Sequence, residues 1–227
     1  SASNEPIAIV GMGAIFPVSP NLERYWENLC QGHSAIREIP ANRWNKDAIF
    51  NAAGKDGQST SKWGGFVEGV ENFSPSAFGL PEEIGADADP LLRLALRATD
   101  AALRDAGIST DDINGRNVGV FMGSRVSRYA DRIAHYGRSS LLGVAQNFIA
   151  AHISHWLNLT GPALVIDSAC SSSSLSAHMA CQSLRNGECD IALAGGSEFL
   201  LDEVPYQMLS QAKALSPTGQ CRTFDAD

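Results

Sequence analysis

The sequence predicts an α/β domain in which a largely parallel sheet is covered by helices on both faces. Short apolar runs rich in β-branched residues recur along the chain, and several end in glycine, as buried strands often do. Segments with the periodicity of amphipathic helices separate these runs. Because parallel strands need a long crossover connection, strands that alternate with helices of ten or more residues are typical of a parallel sheet.

The N-terminal region is predicted to begin with a strand and a helix. Residues 7–10 read Ile-Ala-Ile-Val and are followed by Gly-Met-Gly at residues 11–13, which indicates a buried strand and a turn. Asn21 is a good capping residue for a helix over residues 22–31, and Gly32 is placed to end that helix.

An irregular segment and a long helix come next. Residues 39–61 are rich in Gly, Asn and Asp and lack periodicity, which predicts a long surface excursion with a short strand after it, near residues 65–67. Small and apolar residues then recur every three or four positions over residues 89–106. This spacing predicts a helix with one buried face, which Gly107 ends.

The second half of the chain alternates strands with helices. Three apolar runs predict buried strands, and the segments between them have the length and pattern of helices. The strands are predicted at residues 117–123, 163–166 and 191–194, and the helices at residues 142–158 and 171–185.

Composition and charge exclude several classes of protein. The 227 residues are 44% hydrophobic and 19% charged, which is ordinary for a globular protein with a sizeable core. A net charge of −8 without a long basic run argues against nucleic-acid binding. No apolar run approaches the roughly 18–20 residues that span a bilayer, and no secretion signal is evident. We therefore expect a cytoplasmic protein, and since no linker is visible we treat residues 1–227 as one unit.

The cysteines and histidines predict neither a disulfide framework nor a metal site. The five cysteines are irregularly spaced and form no C-x-x-C pair. His152 and His155 lie three residues apart on a predicted helix, but no third ligand is nearby, so packing or surface roles are favoured. Most of the thiols are expected to be small core residues; the cysteines are Cys30, Cys170, Cys181, Cys189 and Cys221.

Motifs of nucleotide-binding and hydrolytic enzymes are missing. The Gly-Met-Gly at residues 11–13 follows an apolar run, but Phe16 stands where a dinucleotide-binding loop requires glycine, so a structural turn is favoured. The sequence contains no G-x-S-x-G elbow and no G-x-x-x-x-G-K-[ST] loop. His178 lies about 12 Å beyond Cys170 along the predicted helix, too far to act on it as a base, and we expect it to hydrogen-bond within the core.

Cys170 lies where the chain leaves the strand at residues 163–166 and enters the helix at residues 171–185. The helix dipole and the amide groups at a helix N-terminus favour a thiolate there. The same N–H groups can donate to the oxyanion that forms during acyl transfer. Because Ala169 and residues 171–174 are small, an acyl group would fit beside the sulfur. Cys170 is therefore a candidate nucleophile, although a buried structural cysteine is the simpler interpretation.

The motif around Cys170 resembles that of a known family. Residues 167–173 read Asp-Ser-Ala-Cys-Ser-Ser-Ser, which is similar to the Asp-Thr-Ala-Cys-Ser-Ser-Ser of β-ketoacyl synthases of the polyketide and polyunsaturated-fatty-acid synthase type. Further segments resemble the same family in the same order along the chain. They are residues 5–13, 25–29, 39–44, 152–157 with Gly161 and Pro162, 187–196 and 215–225.

The resemblance implies the N-terminal half of a thiolase-like fold and a catalytic role for Cys170. In that family the cysteine accepts an acyl chain from the phosphopantetheine arm of an acyl carrier protein, and a malonyl unit then condenses with it decarboxylatively. The resemblance implies no bound cofactor or metal. It also implies a homodimer, or a heterodimer with a chain-length factor.

The family's two catalytic histidines and a supporting lysine belong to a C-terminal half that is absent from this chain. We therefore expect residues 1–227 alone to be incomplete as a catalyst. None of the chain's own histidines matches the motifs of that half; they are His33, His135, His152, His155 and His178.

The chain departs from the family pattern in places. Ser168 replaces the usual Thr, Ser174 stands where Leu is common, and Ala14 stands where Cys is frequent. Residues 78–90 are unlike modular polyketide synthases and slightly similar to polyunsaturated-fatty-acid synthases. These differences concern subfamily and substrate and leave the nucleophile, Cys170, in place.

Two other functions stay open beside the ketosynthase. One is a thiolase or starter-unit acyltransferase, which would share the acyl-cysteine step without the condensation. The other is a non-catalytic partner like a chain-length factor, against which the cysteine itself argues. Four arginines form a loose cationic cluster. We interpret it as solvated surface; the alternative is that it contacts the carrier protein or its phosphopantetheine. They are Arg125, Arg128, Arg132 and Arg138.

Overall fold

A computed structural model describes residues 5–226 of the chain. Its contacts divide the protein into two compact units, each assembled from two separate stretches of sequence. The first unit comprises the residues up to Ile15 together with Gly69–Phe199, and the second comprises Phe16–Glu68 together with the residues from Leu200 onward. Because the chain passes from one unit to the other and back, no single linker in the sequence marks the boundary.

Helices and strands alternate through most of the described residues. The strands are β1 (Arg37–Glu38), β2 (Trp63–Gly64), β3 (Val118–Gly123), β4 (Ala163–Ile166) and β5 (Ile191–Gly196). The α-helices are α1 (Leu22–Cys30), α2 (Lys46–Ile49), α3 (Glu82–Ala86), α4 (Pro90–Asp105), α5 (Thr110–Ile113), α6 (Ser140–Val144), α7 (Phe148–Trp156), α8 (Ser172–Arg185) and α9 (Val204–Gln211). Short 3₁₀ turns are formed by Pro75–Phe78, Tyr129–Arg132 and Ala169–Ser171.

The first unit is built on a parallel sheet with the strand order β4-β3-β5. In this register Val120 of β3 lies opposite Ala163 of β4 and Leu193 of β5. Every residue of β3 is buried, as expected for a central parallel strand covered on both faces. The predicted α/β class and the largely parallel sheet are confirmed.

The two faces of β3 pack against different helices. Val118, Val120 and Met122 belong to the main core, with buried side chains of α4 and α7. Phe121 points to the opposite face and packs with Ala180 of α8 and Cys189. Successive side chains of a strand alternate between faces, so this one strand joins both helix layers into one unit.

Helix α4 confirms the long helix predicted over residues 89–106. Asp89 caps it, because its Oδ1 accepts a hydrogen bond from the Leu91 N–H at 2.8 Å. Leu92 and Leu96 on its inner face are 1% and 0% exposed. The helix predicted over residues 142–158 is instead two helices, α6 and α7, since Ala145 leaves the helical conformation at ψ 127.

The N-terminal apolar run does not form the predicted buried strand. Ile9 and Val10 are 82% and 65% exposed, and no strand is assigned to residues 5–15. The two glycines that follow instead lie directly against α4, where a Cβ atom on Gly11 would come within 2.5 Å of the Ala102 carbonyl oxygen. Gly13 likewise lies against the backbone of α4. The prediction is wrong because a strand needs a hydrogen-bonding neighbour, which the apolar pattern of the run itself does not supply.

The second unit has a small aromatic core. Ile39, Phe66 and Tyr206 are buried together, and the Tyr206 hydroxyl donates to the Trp63 carbonyl at 3.0 Å. Its β1 and β2 strands pair antiparallel. The short strand predicted near residues 65–67 therefore lies slightly earlier, at β2.

The remaining elements of the second unit are partly as predicted. Asn21 caps α1 by accepting from the Arg24 N–H at 2.8 Å, as expected. Residues 39–61 are mostly irregular, but the segment is not wholly a surface excursion, because Ile39 and Ser59 are 3% and 0% exposed. Within the described residues, no helix is long and apolar enough to cross a membrane.

Candidate active site

Cys170 lies on a short turn at the carboxyl edge of the parallel sheet. Strand β4 ends at Ile166, and α8 begins at Ser172. Between them, Ala169–Ser171 form one 3₁₀ turn that exposes Cys170. The predicted strand–cysteine–helix order is present, and the exposed thiol lies at the edge of the sheet where α/β proteins usually bind ligands. The strand itself was predicted to be buried, but Leu164 is 42% exposed because β4 is at the edge of the three-stranded sheet.

Two glycines let the first turn of α8 lie directly on the ends of the neighbouring strands. A Cβ atom on Gly123, the last residue of β3, would lie 2.6 Å from the Ser172 carbonyl carbon and 2.7 Å from the Ser173 nitrogen. A Cβ atom on Gly196, the last residue of β5, would lie 2.9 Å from the Ser173 Cβ. Larger residues at either position would push the helix start away, so both glycines help to set the position of the turn that carries Cys170.

The residue before the cysteine has an unusual backbone conformation. Ala169 has φ +55, in the left-handed region that costs an L-residue about 1–2 kcal/mol. Both of its backbone polar groups are held by side chains. Asp167 Oδ1 accepts from the Ala169 N–H at 3.0 Å, and the Ser172 hydroxyl donates to the Ala169 carbonyl at 2.7 Å. The strained residue is therefore fixed by neighbours on both sides.

Serine hydroxyls form a second set of bonds around the turn. Ser171 Oγ donates to the Ser168 carbonyl at 2.9 Å, so the bond of 3.0 Å between the two side chains must be donated by Ser168. One turn into α8, the buried Ser176 hydroxyl donates to the Ser172 carbonyl at 2.9 Å. The serines that the sequence suggested as room for an acyl group also bind the backbone.

An ion pair joins the loops that follow the other two strands. Arg125 lies two residues after β3 and Glu198 two residues after β5, and Arg125 Nε lies 3.0 and 2.9 Å from the two carboxylate oxygens. Arg128 pairs with Asp131 at 3.0 Å. Arg125 and Arg128 of the cationic cluster noted in the sequence are thus paired with acidic side chains, which favours its interpretation as ordinary surface over a binding patch.

The histidines lie in varied surroundings. His152 is buried, and its Nε2 lies 2.8 Å from the Leu142 carbonyl; burial lowers its pKa, with a smaller contribution from His155. His178 was expected to hydrogen-bond within the core, and that prediction is wrong. It is exposed, because it lies on the outer face of α8. His33, His135 and His155 are also exposed. Across residues 5–226 no group of three or more His, Cys, Asp or Glu side chains could hold a metal ion.

The other thiols divide between core and surface. Cys189 is buried and lies 3.5 Å from the Ser183 hydroxyl, and Cys181 is half-buried. Cys30 and Cys221 are exposed, which corrects the expectation that most of the thiols lie in the core. The expectation treats cysteine as a small apolar residue, whereas these two lie at the end of α1 and in the C-terminal loop.

A comparison with known families places the chain in one class of proteins. The family model described as "Beta-ketoacyl synthase, N-terminal domain" matches residues 4–227. The chain belongs to the β-ketoacyl synthase family.

The curated relatives are polyketide synthases. Polyketide synthase ThaG of Burkholderia thailandensis is 37% identical over 230 residues, which cover 100% of this chain and 4% of that protein. Polyketide synthase PksL of Bacillus subtilis is 37% identical over 222 residues, which cover 97% of this chain and 5% of that protein. The chain therefore spans only a small part of these relatives.

Solved structures share the fold. The ketosynthase from module 6 of the bacillaene synthase of Bacillus subtilis 168 superposes with a TM-score of 0.88 and 36% identity, over 96% of this chain and 36% of that one. The oxazolomycin ketosynthase domain OzmH KS7 of Streptomyces albus JA3453 superposes with a TM-score of 0.87 and 29% identity, over 96% of this chain and 38% of that one. The thiolase-like fold expected from the sequence is confirmed, for a chain that spans over a third of these ketosynthases.

Proposed function

We propose that this chain is the nucleophile-bearing, N-terminal half of a ketosynthase in which Cys170 accepts an acyl group. The observation that carries the proposal is the exposed thiol of Cys170 on the turn between β4 and α8, in a chain of the β-ketoacyl synthase family. An exposed thiol at that junction is accessible to an acyl thioester.

The proposed reaction has two covalent steps. The Cys170 thiolate attacks the thioester carbonyl of an acyl chain on a carrier protein's phosphopantetheine, and the carrier thiolate leaves and takes up a proton. A malonyl thioester on a carrier protein then loses CO₂, and its carbanion attacks the acyl-cysteine carbonyl. The bond to the sulfur breaks, which regenerates the Cys170 thiolate and leaves a β-ketoacyl chain on the carrier. The chemistry needs no metal or redox cofactor.

The proposed partners are an acyl carrier protein and a C-terminal half, in the same or a separate chain. That half would supply the histidines, because none of the five histidines of this chain lies in a motif of the family's catalytic bases. We also propose a homodimer, or a heterodimer with a chain-length factor. The partly exposed edge strand β4 is compatible with pairing between two sheets.

A condensation assay separates this function from its alternatives. The chain with its C-terminal half is incubated with an acyl-carrier protein and malonyl-carrier protein labelled in the free carboxylate. A ketosynthase releases labelled CO₂ in proportion to the β-ketoacyl product. Acylation of the protein without CO₂ release would indicate a starter-unit acyltransferase or a thiolase, and the absence of both would indicate a non-catalytic partner.

A further inference from the structure

The turn at Cys170 is held by a side chain that the nucleophile motif alone does not explain. We propose that Ser172 is a positioning residue, which fixes the direction of the Cys170 thiol with help from Asp167. This inference rests on the proposed function, because it assigns residues that prepare the same cysteine for acylation. It goes beyond that function because neither residue has to touch the substrate.

Ser172 bonds to the backbone of both residues that precede Cys170. Its Oγ accepts from the Ser168 N–H at 2.9 Å and donates to the Ala169 carbonyl at 2.7 Å. A hydroxyl has one proton to donate and two lone pairs to accept with, so both bonds form at once. Ser172 is only 9% exposed, which shields these bonds from competing water.

The position of Ser172 in the fold allows its two hydrogen bonds to hold the turn in place. Ser172 is the first residue of α8, and its backbone lies against Gly123, the last residue of β3, so the hydroxyl is carried by a helix packed on the sheet. Ala169 is in the left-handed region at φ +55, a conformation it would leave without restraint. The Ala169 carbonyl also accepts from the Ser172 backbone N–H, so loss of the hydroxyl removes one of two bonds to that carbonyl. The peptide that precedes Cys170 is then held less firmly, and the Cys170 side chain is no longer fixed in one direction.

Asp167 supports the same residue from the other side. Its Oδ1 accepts from the Ala169 N–H at 3.0 Å, which is a turn that aspartate and asparagine both make. Asp167 is exposed, so its removal should disturb the core less than the removal of Ser172. The two side chains therefore offer independent tests of one idea.

The first test removes the Ser172 hydroxyl. Ser172→Ala is compared with Ser183→Ala, a matched loss of a buried hydroxyl three turns further along α8. In the chain with its C-terminal half, acylation of Cys170 from an acyl thioester is followed over time by intact mass at several thioester concentrations. We expect the limiting rate of Ser172→Ala to fall about 10- to 100-fold with the half-saturating concentration nearly unchanged, since a misplaced nucleophile slows the chemical step. Ser183→Ala should acylate at the wild-type rate.

The second test uses the conservative replacement at the supporting residue. Asp167→Asn keeps the accepting oxygen and should retain most of the limiting rate, whereas Asp167→Ala should lose it. If Ser172→Ala does not fold, the difference in limiting rate between Asp167→Asn and Asp167→Ala tests the positioning of Cys170. Equal acylation rates in Asp167→Ala, Asp167→Asn and wild type would overturn the inference, as would a wild-type rate in folded Ser172→Ala.

These outcomes are separate from the fate of the proposed function. If wild type is not acylated on Cys170 at all, the acyl-enzyme itself is contradicted. If wild type is acylated and the variants match it, the acyl-enzyme stands and the positioning role is rejected. A loss of thermal stability equal in Ser172→Ala and Ser183→Ala, together with equal acylation, would also reject it, because both hydroxyls would then be merely structural.

Discussion

Asp89 is a buried carboxylate whose two oxygens have different surroundings. Oδ1 caps α4 through the Leu91 N–H, while Oδ2 is buried without a hydrogen-bond partner. Burial raises the pKa of Asp89, and the Ser127 hydroxyl, the Leu91 N–H and the charges of Arg93 and Arg125 oppose this only in part. The cap therefore stabilises the helix at the cost of a charge placed in the protein interior.

The raised pKa of Asp89 predicts how stability changes with pH. A carboxyl whose pKa is higher in the folded state stabilises the fold below its unfolded value, near 3.8, and loses that contribution as pH rises through the folded value. Asp89→Asn keeps the capping oxygen without the charge. We expect it to raise the free energy of unfolding at pH 7, with a difference from wild type that shrinks toward pH 4.

Urea unfolding at the two pH values measures this, with Asp89→Ala as the control. That variant loses the cap and should be destabilised by about 1 kcal/mol relative to Asp89→Asn at both pH values. An Asp89→Asn protein that is less stable than wild type by the same amount at pH 4 and pH 7 would show that the charge of Asp89 does not destabilise the fold.

At the residue scale, the sequence predicted Cys170 as a candidate nucleophile but not the hydrogen bonds around it. Cys170 stood out because a motif of small residues follows an apolar run. The role that we propose for Ser172 depends on bonds that reach across the turn to Ser168 and to the left-handed Ala169. No spacing rule indicates which of several consecutive serines bonds to the backbone, so the sequence alone could not single out Ser172.

At the scale of elements, locally determined helices were the most predictable. The position of α4 follows from its periodicity and from Gly107 at its end, and α8 follows from a segment of helical length between two apolar runs. Features set by distant partners were missed: the break between α6 and α7, the exposure of β4 and the missing strand at residues 7–10. Hydrophobic pattern indicates that a segment prefers burial, but the neighbour that buries it lies elsewhere in the fold.

The glycine at the end of β3 tests how closely α8 must approach the sheet. Gly123→Ala places a methyl group against the backbone of Ser172 and Ser173, which cannot move aside as a flexible side chain would. We expect a loss of about 1–3 kcal/mol in the free energy of unfolding and slower acylation of Cys170. Denaturant titration and acylation kinetics measure the two effects.

Gly195→Ala is the matched control within the same sheet. A Cβ atom there would meet only the Met122 side chain, at 3.5 Å, which is an ordinary contact. The control should therefore stay near wild type in both measurements. If the two alanine variants behave alike, the close approach of α8 to Gly123 is not required.

At the scale of the whole molecule, the family could be recognised from ordered motifs spread along the chain. The parallel sheet and the match to ketosynthase structures agree with that recognition. The division into two units could not be predicted, because each is assembled from stretches far apart in sequence. Only contacts between those stretches define the units.

The central claim is that Cys170 is the acyl acceptor, and intact-mass spectrometry tests it most directly. The chain with its C-terminal half is mixed with an acyl thioester, and wild type is compared with Cys170→Ala. Cys221→Ala is a demanding control, because Cys221 is also exposed and the Thr223 hydroxyl and N–H lower the pKa of its thiol. We predict one acyl adduct on wild type and on Cys221→Ala, and none on Cys170→Ala. An adduct that survives in Cys170→Ala, or no adduct on wild type, would contradict the assignment.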